Sequence, residues 1–276
     1  CILSAVNVGA LNDLSELENI CDLSVRALEQ IIDYQDYPVR AAEVSTKKRR
    51  SLGIGYIGLA HYLAKNGVKY SDPKAWELVD RLTEAFQYHL LRASCDIAME
   101  KGKCEGFERT KYADGLLPID HYKKDVDEIV PHKQRMAWES LRKEIAKHGL
   151  RHSTLSAQMP SESSSVVSNE TNGIEPLRAL LSIKKSKKGP LKQIAPGYPK
   201  LKNDYTLLWD MPNNEGYINV VAMMQKYFDQ AISGNWSYNP LQFENNEVPL
   251  SAMAQDMLLA YKFGWKTSYY QNTYDF

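Results

Sequence analysis

The stretch Cys1-Ile2-Leu3-Ser4-Ala5-Val6-Asn7-Val8 opens the chain and gives the first indication of its fold. This mostly apolar run predicts a buried strand over residues 1–8. Apolar residues then recur at helical period over residues 15–33, and Ser15 with Glu18 has the spacing of a capping box. A strand followed by an amphipathic helix points to a mixed α/β fold.

The same alternation continues along the chain. Helices are predicted over residues 73–101, 138–148, 218–232 and 251–263. Strands are predicted over residues 150–158 and 265–271, with a strand pair over residues 179–183 and 191–194. Helices that alternate with short apolar strands indicate the α/β class.

Composition excludes several classes of protein. The 276 residues include 34 Lys+Arg and 34 Asp+Glu, so the formal net charge is zero, whereas a wholesale nucleic-acid binder is normally basic. No window of about 18 consecutive apolar residues occurs, so no transmembrane helix is predicted. We therefore expect neither a nucleic-acid partner nor a membrane partner.

The cysteines and histidines show no metal-binding spacing. The four cysteines form no C-x-x-C pair and the six histidines no H-E-x-x-H motif, so no metal site is predicted. So few cysteines are typical of a reducing compartment, and we expect a cytoplasmic protein. The chain begins with Cys1 in place of Met and has no basic leader, so we expect a segment of a longer chain or a trimmed chain.

The motif Gly53-Ile54-Gly55-Tyr56-Ile57-Gly58 matches the G-x-G-x-x-G pattern of dinucleotide sites. Such a site needs an apolar strand before the motif and an acidic residue about 20 positions after it. Here the basic tetrad Lys47-Lys48-Arg49-Arg50, which we expect in a loop, precedes the motif, and Asp72 fits a helix N-cap better than the end of a second strand. These observations favour a tight turn or close backbone packing over a nucleotide cradle.

The run Pro160-Ser161-Glu162-Ser163-Ser164-Ser165 follows the predicted strand over residues 150–158. Small hydroxyl residues that lead into a helix can form a phosphate site, because free N–H groups and the helix dipole favour an anion. The same composition is also typical of a simple Ser-rich N-cap. Composition leaves both interpretations open.

Two further features also have a functional and a structural interpretation. Lysines at positions 184, 185, 187, 188, 192, 200 and 202 favour a solvated hairpin over attraction of a phosphate-bearing ligand or an acidic partner. Tyr269 and Tyr270 are adjacent in the last predicted strand, so their side chains are expected on opposite faces and in two environments. Aromatic core packing with a hydrogen-bonded hydroxyl is the favoured interpretation of this pair.

A series of motifs occurs in order along the chain. They are Cys1-Ile2-Leu3-Ser4-Ala5-Val6-Asn7, Asp33-Tyr34-Gln35-Asp36-Tyr37-Pro38, Arg50-Ser51-Leu52-Gly53-Ile54-Gly55, Thr154-Leu155-Ser156-Ala157, Met159-Pro160-Ser161-Glu162, Thr171-Asn172-Gly173-Ile174-Glu175-Pro176 and Tyr269-Tyr270-Gln271-Asn272-Thr273. Together they resemble the C-terminal part of the large, catalytic subunit of class I ribonucleotide reductase. The resemblance covers nearly the whole chain and implies that residues 1–276 form the second half of a ten-stranded α/β barrel with its surrounding helices.

The resemblance also implies a reaction and a set of partners. The family reduces ribonucleoside diphosphates to deoxyribonucleoside diphosphates by radical chemistry. A radical that arises at a metallocofactor in a small partner subunit passes through tyrosines to a cysteine inside the barrel, and thioredoxin or glutaredoxin reduces the complete enzyme. No cofactor is expected in this chain itself, and the N-terminal part of the large subunit is expected as its partner.

Particular residues match functional positions of these motifs. Cys1 resembles one member of the reducing cysteine pair, and Tyr269 and Tyr270 resemble the radical-relay pair. The segment that resembles the substrate-diphosphate loop consists of Pro160, Ser161, Glu162, Ser163 and Ser164. The predicted helix over residues 251–263 leads into the tyrosine pair and is expected to dock the small subunit.

The chain also departs from the family pattern. It has no counterpart of the radical cysteine or of the cysteine pair in the mobile C-terminal tail, so we expect no activity from the chain alone. Cys21, Cys95 and Cys104 match no catalytic position and are expected to be structural. The alternative function is a non-catalytic half-barrel remnant that binds a nucleotide or a partner peptide, but the presence of Cys1 and both tyrosines favours the enzyme.

Overall fold

The computed structural model describes residues 1–186 and 189–275. Its helices in chain order are α1 (Glu16–Tyr34), α2 (Arg40–Arg49), α3 (Leu59–Lys65), α4 (Pro73–Lys101), α5 (Pro118–His121), α6 (Trp138–His148), α7 (Glu162–Val167), α8 (Glu215–Gln225) and α9 (Leu250–Phe263). Its strands are β1 (Ile2–Asn7), β2 (Leu52–Ile57), β3 (Leu181–Ser186), β4 (Gly189–Ile194), β5 (Ser233–Tyr238) and β6 (Thr267–Thr273). This mixture of helices and strands confirms the predicted α/β class.

Five extended segments lie side by side, in the order β1, β2, residues 154–158, β5 and β6. The pairs β1–β2 and β5–β6 are parallel. The middle segment joins them, because the Ile54 N–H donates to the Leu155 carbonyl at 2.8 Å and the Ser233 N–H donates to the Gln158 carbonyl at 3.2 Å. Within the described residues the row stays open and forms no closed barrel.

Helices cover this row and supply most of the core. Helix α1 packs on β1 and on α4, α8 packs on α4, and α9 packs on α8. An aromatic cluster ties these layers together, since the ring of Tyr56 in β2 lies edge-on to Phe86 of α4 at 5.3 Å and to Phe228 at 5.9 Å. The core therefore lies between the row of strand segments and its helices.

The predicted helices α1, α4, α6 and α9 are confirmed, and glycine ends two of them as expected. Gly149 and Gly264 follow α6 and α9 with positive φ angles of 74° and 89°. The prediction of a capping box at the start of α1 is wrong, because the Ser15 side chain makes no capping bond. The Glu16 carboxylate instead accepts the N–H groups of Asn12 and Asp13, at 3.1 and 3.3 Å.

The strand predicted over residues 150–158 is much shorter in the structure. Only Ser156 forms an isolated parallel bridge, to Ile54. The Asp229 carboxylate accepts the N–H groups of Leu155 and Ser156 at 2.6 and 3.1 Å. A side chain thus takes backbone donors that a regular strand ladder would use.

The helix predicted over residues 218–232 ends early, at Gln225, and the strand β5 that follows was not predicted. The side chain of Gln225 explains this ending. Its amide donates to the Gln230 carbonyl at 3.1 Å and accepts the Ile232 N–H at 3.0 Å. These bonds hold an irregular connection in place of another helical turn.

The glycine motif forms the buried strand β2 and not a tight turn, so the predicted turn is wrong. The alternative prediction, close backbone packing, is confirmed. An added Cβ would lie 2.6 Å from the Leu3 side chain at Gly53 and 2.5 Å from the Ala157 carbonyl oxygen at Gly55. The nucleotide-cradle alternative is excluded at the start of α3. There the N–H groups of Gly58 and Leu59 already donate to carbonyls of residues 171 and 173, at 3.0 and 3.3 Å.

The basic tetrad does not lie in a loop. Its first three residues form the last turn of α2, and Arg50 follows as a buried C-cap with a φ of 47°. The Arg50 guanidinium pairs with Glu29 at 2.8 Å and with Asp33 at 2.7 Å on α1. Tertiary ion pairing therefore decides the position of this arginine.

The lysine-rich hairpin is confirmed as the antiparallel pair β3–β4, in which Leu181 stands opposite Ile194. Lys187 and Lys188, in its predicted turn, lie outside the described residues. Lys192, Lys200 and Lys202 are exposed, as expected for a solvated region.

Candidate active-site cleft

An open cleft of about 530 Å³ lies between strand β6 and residues 160–164, which lead into α7 and form its first turn. It brings together two groups of residues that are far apart in the sequence. They are Pro160, Ser161, Glu162, Ser163 and Ser164 on one side and Tyr269 and Tyr270 on the other. Seven of the eight predicted site residues thus line a single cleft.

The loop side of the cleft is held by backbone-directed bonds. The Ser161 N–H donates to Asn172 Oδ1 at 3.1 Å, and the Ser164 hydroxyl donates to the Ser161 carbonyl at 3.3 Å. Ser161 lies at the N-cap position of α7, as the N-cap interpretation predicts, but its hydroxyl makes no capping bond and donates to the Met159 carbonyl at 3.2 Å. Ser163 is exposed, and its hydroxyl has no partner within residues 1–186 and 189–275.

The tyrosine side of the cleft is formed by a β-bulge. Gly234 pairs with Ser268 and Trp236 pairs with Gln271, so two tyrosines stand opposite the single residue Asn235. Their ring centroids lie 4.3 Å apart with an interplanar angle of 56°. The bulge interrupts the alternation of faces, so the prediction that the two phenols occupy separate environments is wrong.

The tyrosines are also not core aromatics. Tyr269 is 50% exposed and Tyr270 is 60% exposed, so the core-packing interpretation is wrong. A side-chain hydrogen bond with Tyr270 raises the pKa of Tyr269 above its ordinary value. Two phenols in mutual contact therefore face the open cleft.

Asn235 and Glu175 hold the backbone of the tyrosine pair through two successive hydrogen bonds. The Asn235 side-chain oxygen Oδ1 accepts the Tyr270 N–H at 3.1 Å, and the Asn235 side-chain Nδ2 donates to the Glu175 carboxylate at 2.5 Å. Burial raises the pKa of Glu175 above its ordinary value, although the bond from Asn235 opposes the shift. Arg178 lines the same cleft, is exposed, and forms no ion pair within the part of the chain that the structure describes.

Sequence reasoning identified none of Asn172, Glu175, Arg178 and Asn235 as site residues. Asn172 and Glu175 belong to one of the motifs quoted above, so a signal for them was present. Arg178 follows that motif closely, whereas Asn235 lies in a strand that was not predicted. Its position opposite the bulge depends entirely on strand pairing.

Cys1 does not line the cleft. It precedes β1 at the amino-terminal end of the row, whereas residues 160–164 follow the carboxyl end of the middle segment. The Cys1 thiol is exposed and donates to Gln230 Oε1 at 3.5 Å. The other three cysteines are buried, in agreement with a structural role, and burial raises the pKa of the Cys95 thiol to about 11.

Within the described residues, no group of three or more His, Cys, Asp or Glu side chains is arranged to hold a metal ion. In that same part of the chain, no helix combines the length and apolar character needed to cross a bilayer.

Parallel strand segments under a layer of helices agree with the α/β class that the motif series implied, and comparison with known proteins identifies the family. The chain belongs to the family described as ribonucleotide reductase, barrel domain, whose model matches residues 1–271. Among curated relatives, it is 55% identical over 275 residues to the ribonucleoside-diphosphate reductase subunit alpha of Buchnera aphidicola subsp. Schizaphis graminum. The match covers 100% of this chain and 36% of that relative.

Two other relatives agree. The chain is 56% identical over 275 residues to the ribonucleoside-diphosphate reductase subunit alpha of Haemophilus influenzae. This match covers 100% of this chain and 36% of the relative. The chain is 54% identical over 244 residues to ribonucleoside-diphosphate reductase 1 subunit alpha of Escherichia coli. This match covers 88% of this chain and 32% of the relative. The chain therefore spans about a third of the length of these relatives, and the resemblance drawn from its motifs is confirmed.

Proposed function

We propose that this chain is the C-terminal part of the catalytic subunit of a ribonucleoside-diphosphate reductase. In the complete enzyme it acts in the reduction of ribonucleoside diphosphates to deoxyribonucleoside diphosphates. The observation that carries the proposal is the cleft, which joins the serine-rich segment at residues 160–164 to Tyr269 and Tyr270 in a chain of this family.

Residues 1–276 are proposed to form the second half of a ten-stranded α/β barrel. The five parallel segments support this role, because β1 and β6 end the row with backbone groups that a further strand could pair. The N-terminal part of the subunit would supply the other five strands. It would also bring the radical cysteine and the partner of Cys1.

The serine-rich segment is proposed to hold the substrate diphosphate. The Ser163 hydroxyl is free to donate, and Ser164 needs only to exchange its bond to the Ser161 carbonyl for one to a phosphate oxygen. Pro160 and Ser161 precede these groups and shape the approach to them. Glu162 is the first residue of α7. Arg178 supports an anionic ligand, since a guanidinium without an ion pair can bind phosphate with charge-assisted hydrogen bonds.

Tyr269 and Tyr270 are proposed to relay the radical. A phenol takes part by losing an electron and a proton, and it recovers both from the next group in the relay. Ring centroids 4.3 Å apart and half-exposed rings support such an exchange between a partner surface and the barrel interior. The radical metallocofactor would belong to the small partner subunit.

Helix α9 is proposed as the docking surface for that small subunit. It leads directly into β6, and its exposed apolar side chains include Leu250, Leu258 and Tyr261. An apolar helix face beside the relay tyrosines would place the radical source next to them.

Cys1 is proposed as one thiol of the reducing pair. Two thiols that close a disulfide release two electrons and two protons, which is what replacement of the substrate hydroxyl by hydrogen, with loss of water, requires. Thioredoxin or glutaredoxin would then reduce the disulfide by thiol exchange. The exposure of Cys1 at the edge strand β1 supports contact with a cysteine on the N-terminal part.

A reconstitution experiment tests the proposal. The chain is combined with the N-terminal part of the subunit, the small subunit, a dithiol reductant and a ribonucleoside diphosphate, and deoxyribonucleotide is measured. Product should form only when all components are present. A correctly assembled mixture that binds the nucleotide without reducing it would overturn the proposal in favour of the non-catalytic remnant.

A further inference from the structure

The side chain of Gln230 links strand β2 to the neighbouring segment at residues 154–158. Its side-chain Nε2 donates to the Leu52 carbonyl at 3.0 Å and to the Ser156 carbonyl at 3.2 Å. A primary amide has two N–H donors, and both are used here. The orientation of the side chain is therefore determined by the backbone around it.

The main chain of Gln230 is held as well. Its N–H donates to the Ser156 carbonyl at 3.3 Å, and its own carbonyl accepts the Gln225 amide at 3.1 Å. The remaining polar atom, Oε1, lies 3.5 Å from the sulfur of Cys1. Because the amide cannot rotate without losing two bonds, it presents an acceptor to Cys1 and not a donor.

We infer that Gln230 is a positioning residue for Cys1, which it holds as a protonated thiol directed at the amide oxygen. The inference rests on the proposed redox role of Cys1. A carbonyl oxygen can accept the S–H hydrogen but cannot stabilise a thiolate, so the contact favours the protonated form. Gln230 takes no proton and no electron in this role; it sets the direction and the protonation of the sulfur.

The consequence is measurable without turnover. Thiolates react with iodoacetamide and thiols do not, so the alkylation rate reports the thiolate fraction. Cys1 is exposed and Cys21, Cys95 and Cys104 are buried, so fast alkylation of the folded chain belongs to Cys1. Peptide mass mapping confirms the modified residue, and Cys1→Ser should abolish the fast phase.

Two substitutions at Gln230 separate positioning from simple structural support. Gln230→Met keeps the length and removes the acceptor, so Cys1 should be alkylated about threefold to tenfold faster at neutral pH. Gln230→Glu keeps an oxygen beside the sulfur and adds a negative charge, so alkylation should be slower than in the parent chain. A merely structural role would loosen the strand ends in both variants and accelerate both.

Gln193→Met is the matched control, since the Gln193 amide also donates to a backbone carbonyl, that of Glu170 at 3.0 Å, in another part of the fold. It should leave the alkylation rate unchanged, and circular dichroism should show that every variant is folded. Equal acceleration by both Gln230 variants, or no change in either, would overturn the inference. Failure of the proposed function is distinguished from this result, because it would appear as normal nucleotide reduction by the complete enzyme carrying Cys1→Ser.

Discussion

Two polar regions of the molecule are built in opposite ways. Around Glu29, the carboxylate oxygens accept from Arg50 and Arg151, each at 2.8 Å, and from His152 at 3.0 Å, in a buried cluster. In the cleft, the Ser163 hydroxyl has no hydrogen-bond partner and the Arg178 guanidinium has no ion pair within the part of the chain that the structure describes, and both are open to solvent.

The difference indicates what each region can do. A buried polar group needs its partner, because leaving it unpaired costs about 1–3 kcal/mol and more for a charge. An exposed group without a protein partner costs little and stays available to a ligand. We therefore expect substitutions in the cleft to affect the reaction with little effect on stability, and substitutions around Glu29 to do the reverse.

The largest effect is expected at the tyrosine pair. Phe has nearly the same shape as Tyr but no phenolic O–H, so Tyr269→Phe and Tyr270→Phe should each abolish nucleotide reduction by the complete enzyme. The melting temperature and substrate affinity should stay close to those of the parent enzyme. Tyr34→Phe, at a tyrosine that is 91% exposed and ends α1, which packs on β1 at the other end of the row, is the control. Substantial activity in either cleft variant would return the pair to a structural role.

The thiol of Cys1 should be nearly as important. Cys1→Ser removes a redox group from an exposed site, so multiple turnovers should stop while the unfolding temperature changes little. Steady-state reduction with a dithiol reductant measures the effect. Near-normal multiple turnover would remove Cys1 from the reaction.

A smaller effect is expected in the serine-rich segment. A lost hydrogen bond to a charged group is worth about 1.5–3 kcal/mol, so the double variant Ser163→Ala with Ser164→Ala should bind substrate about tenfold or more weakly. Ser165→Ala is the control, because that hydroxyl is buried and donates to the Glu162 carbonyl at 3.0 Å. Equilibrium binding of the diphosphate measures this affinity. An unchanged affinity in the double variant would exclude these hydroxyls from phosphate binding.

The docking surface gives a test that separates binding from chemistry. Leu258 on α9 is 68% exposed, and Leu258→Glu places a charge on the proposed apolar contact. The affinity for the small subunit should fall by about tenfold, as expected when one apolar side chain is no longer buried. Tyr270→Phe should bind that subunit normally. Normal binding by the Leu258 variant would place the docking surface elsewhere.

The smallest effect on the reaction, and the clearest effect on stability, is expected around Glu29. Although burial opposes it, hydrogen bonds from His152, Arg50 and Arg151 lower the pKa of Glu29 to about 2. A lowered carboxyl pKa contributes stability above about pH 4.5, and this contribution is lost as the pH falls toward 2. Burial also lowers the pKa of His152, so stability should already decline as the pH falls below about 6.5.

Glu29→Gln tests this arrangement by urea unfolding at several pH values. Removal of one partner from a buried ion-pair cluster should destabilise the fold by about 3–5 kcal/mol at pH 7. The variant should also show a shallower loss of stability between pH 4.5 and 3 than the parent chain. An identical pH dependence in both would show that Glu29 does not carry the acid sensitivity.

Local sequence patterns determined much of the fold. The apolar periodicity of α1, α4, α6 and α9, with glycines after α6 and α9, predicts those helices because hydrogen bonds and caps within a helix join near neighbours. The antiparallel hairpin β3–β4 and the opening strand β1 were also predicted, but the predicted burial of β1 is wrong, since Leu3 is 56% exposed and only Val6 of this strand is buried. The motif series indicated the family and seven of the residues that line the cleft.

Tertiary structure alone decided the rest. Pairing of β6 with β5 places Tyr269 and Tyr270 together opposite Asn235, and the contacts of Glu29 bury Arg50, which the sequence pattern assigned to a loop. The early end of α8 and the irregular segment at residues 154–158 depend on side chains that bond to backbone groups of other segments. Periodicity describes neighbours along the chain, whereas these features depend on partners far away in sequence, which only the folded molecule brings within hydrogen-bonding distance.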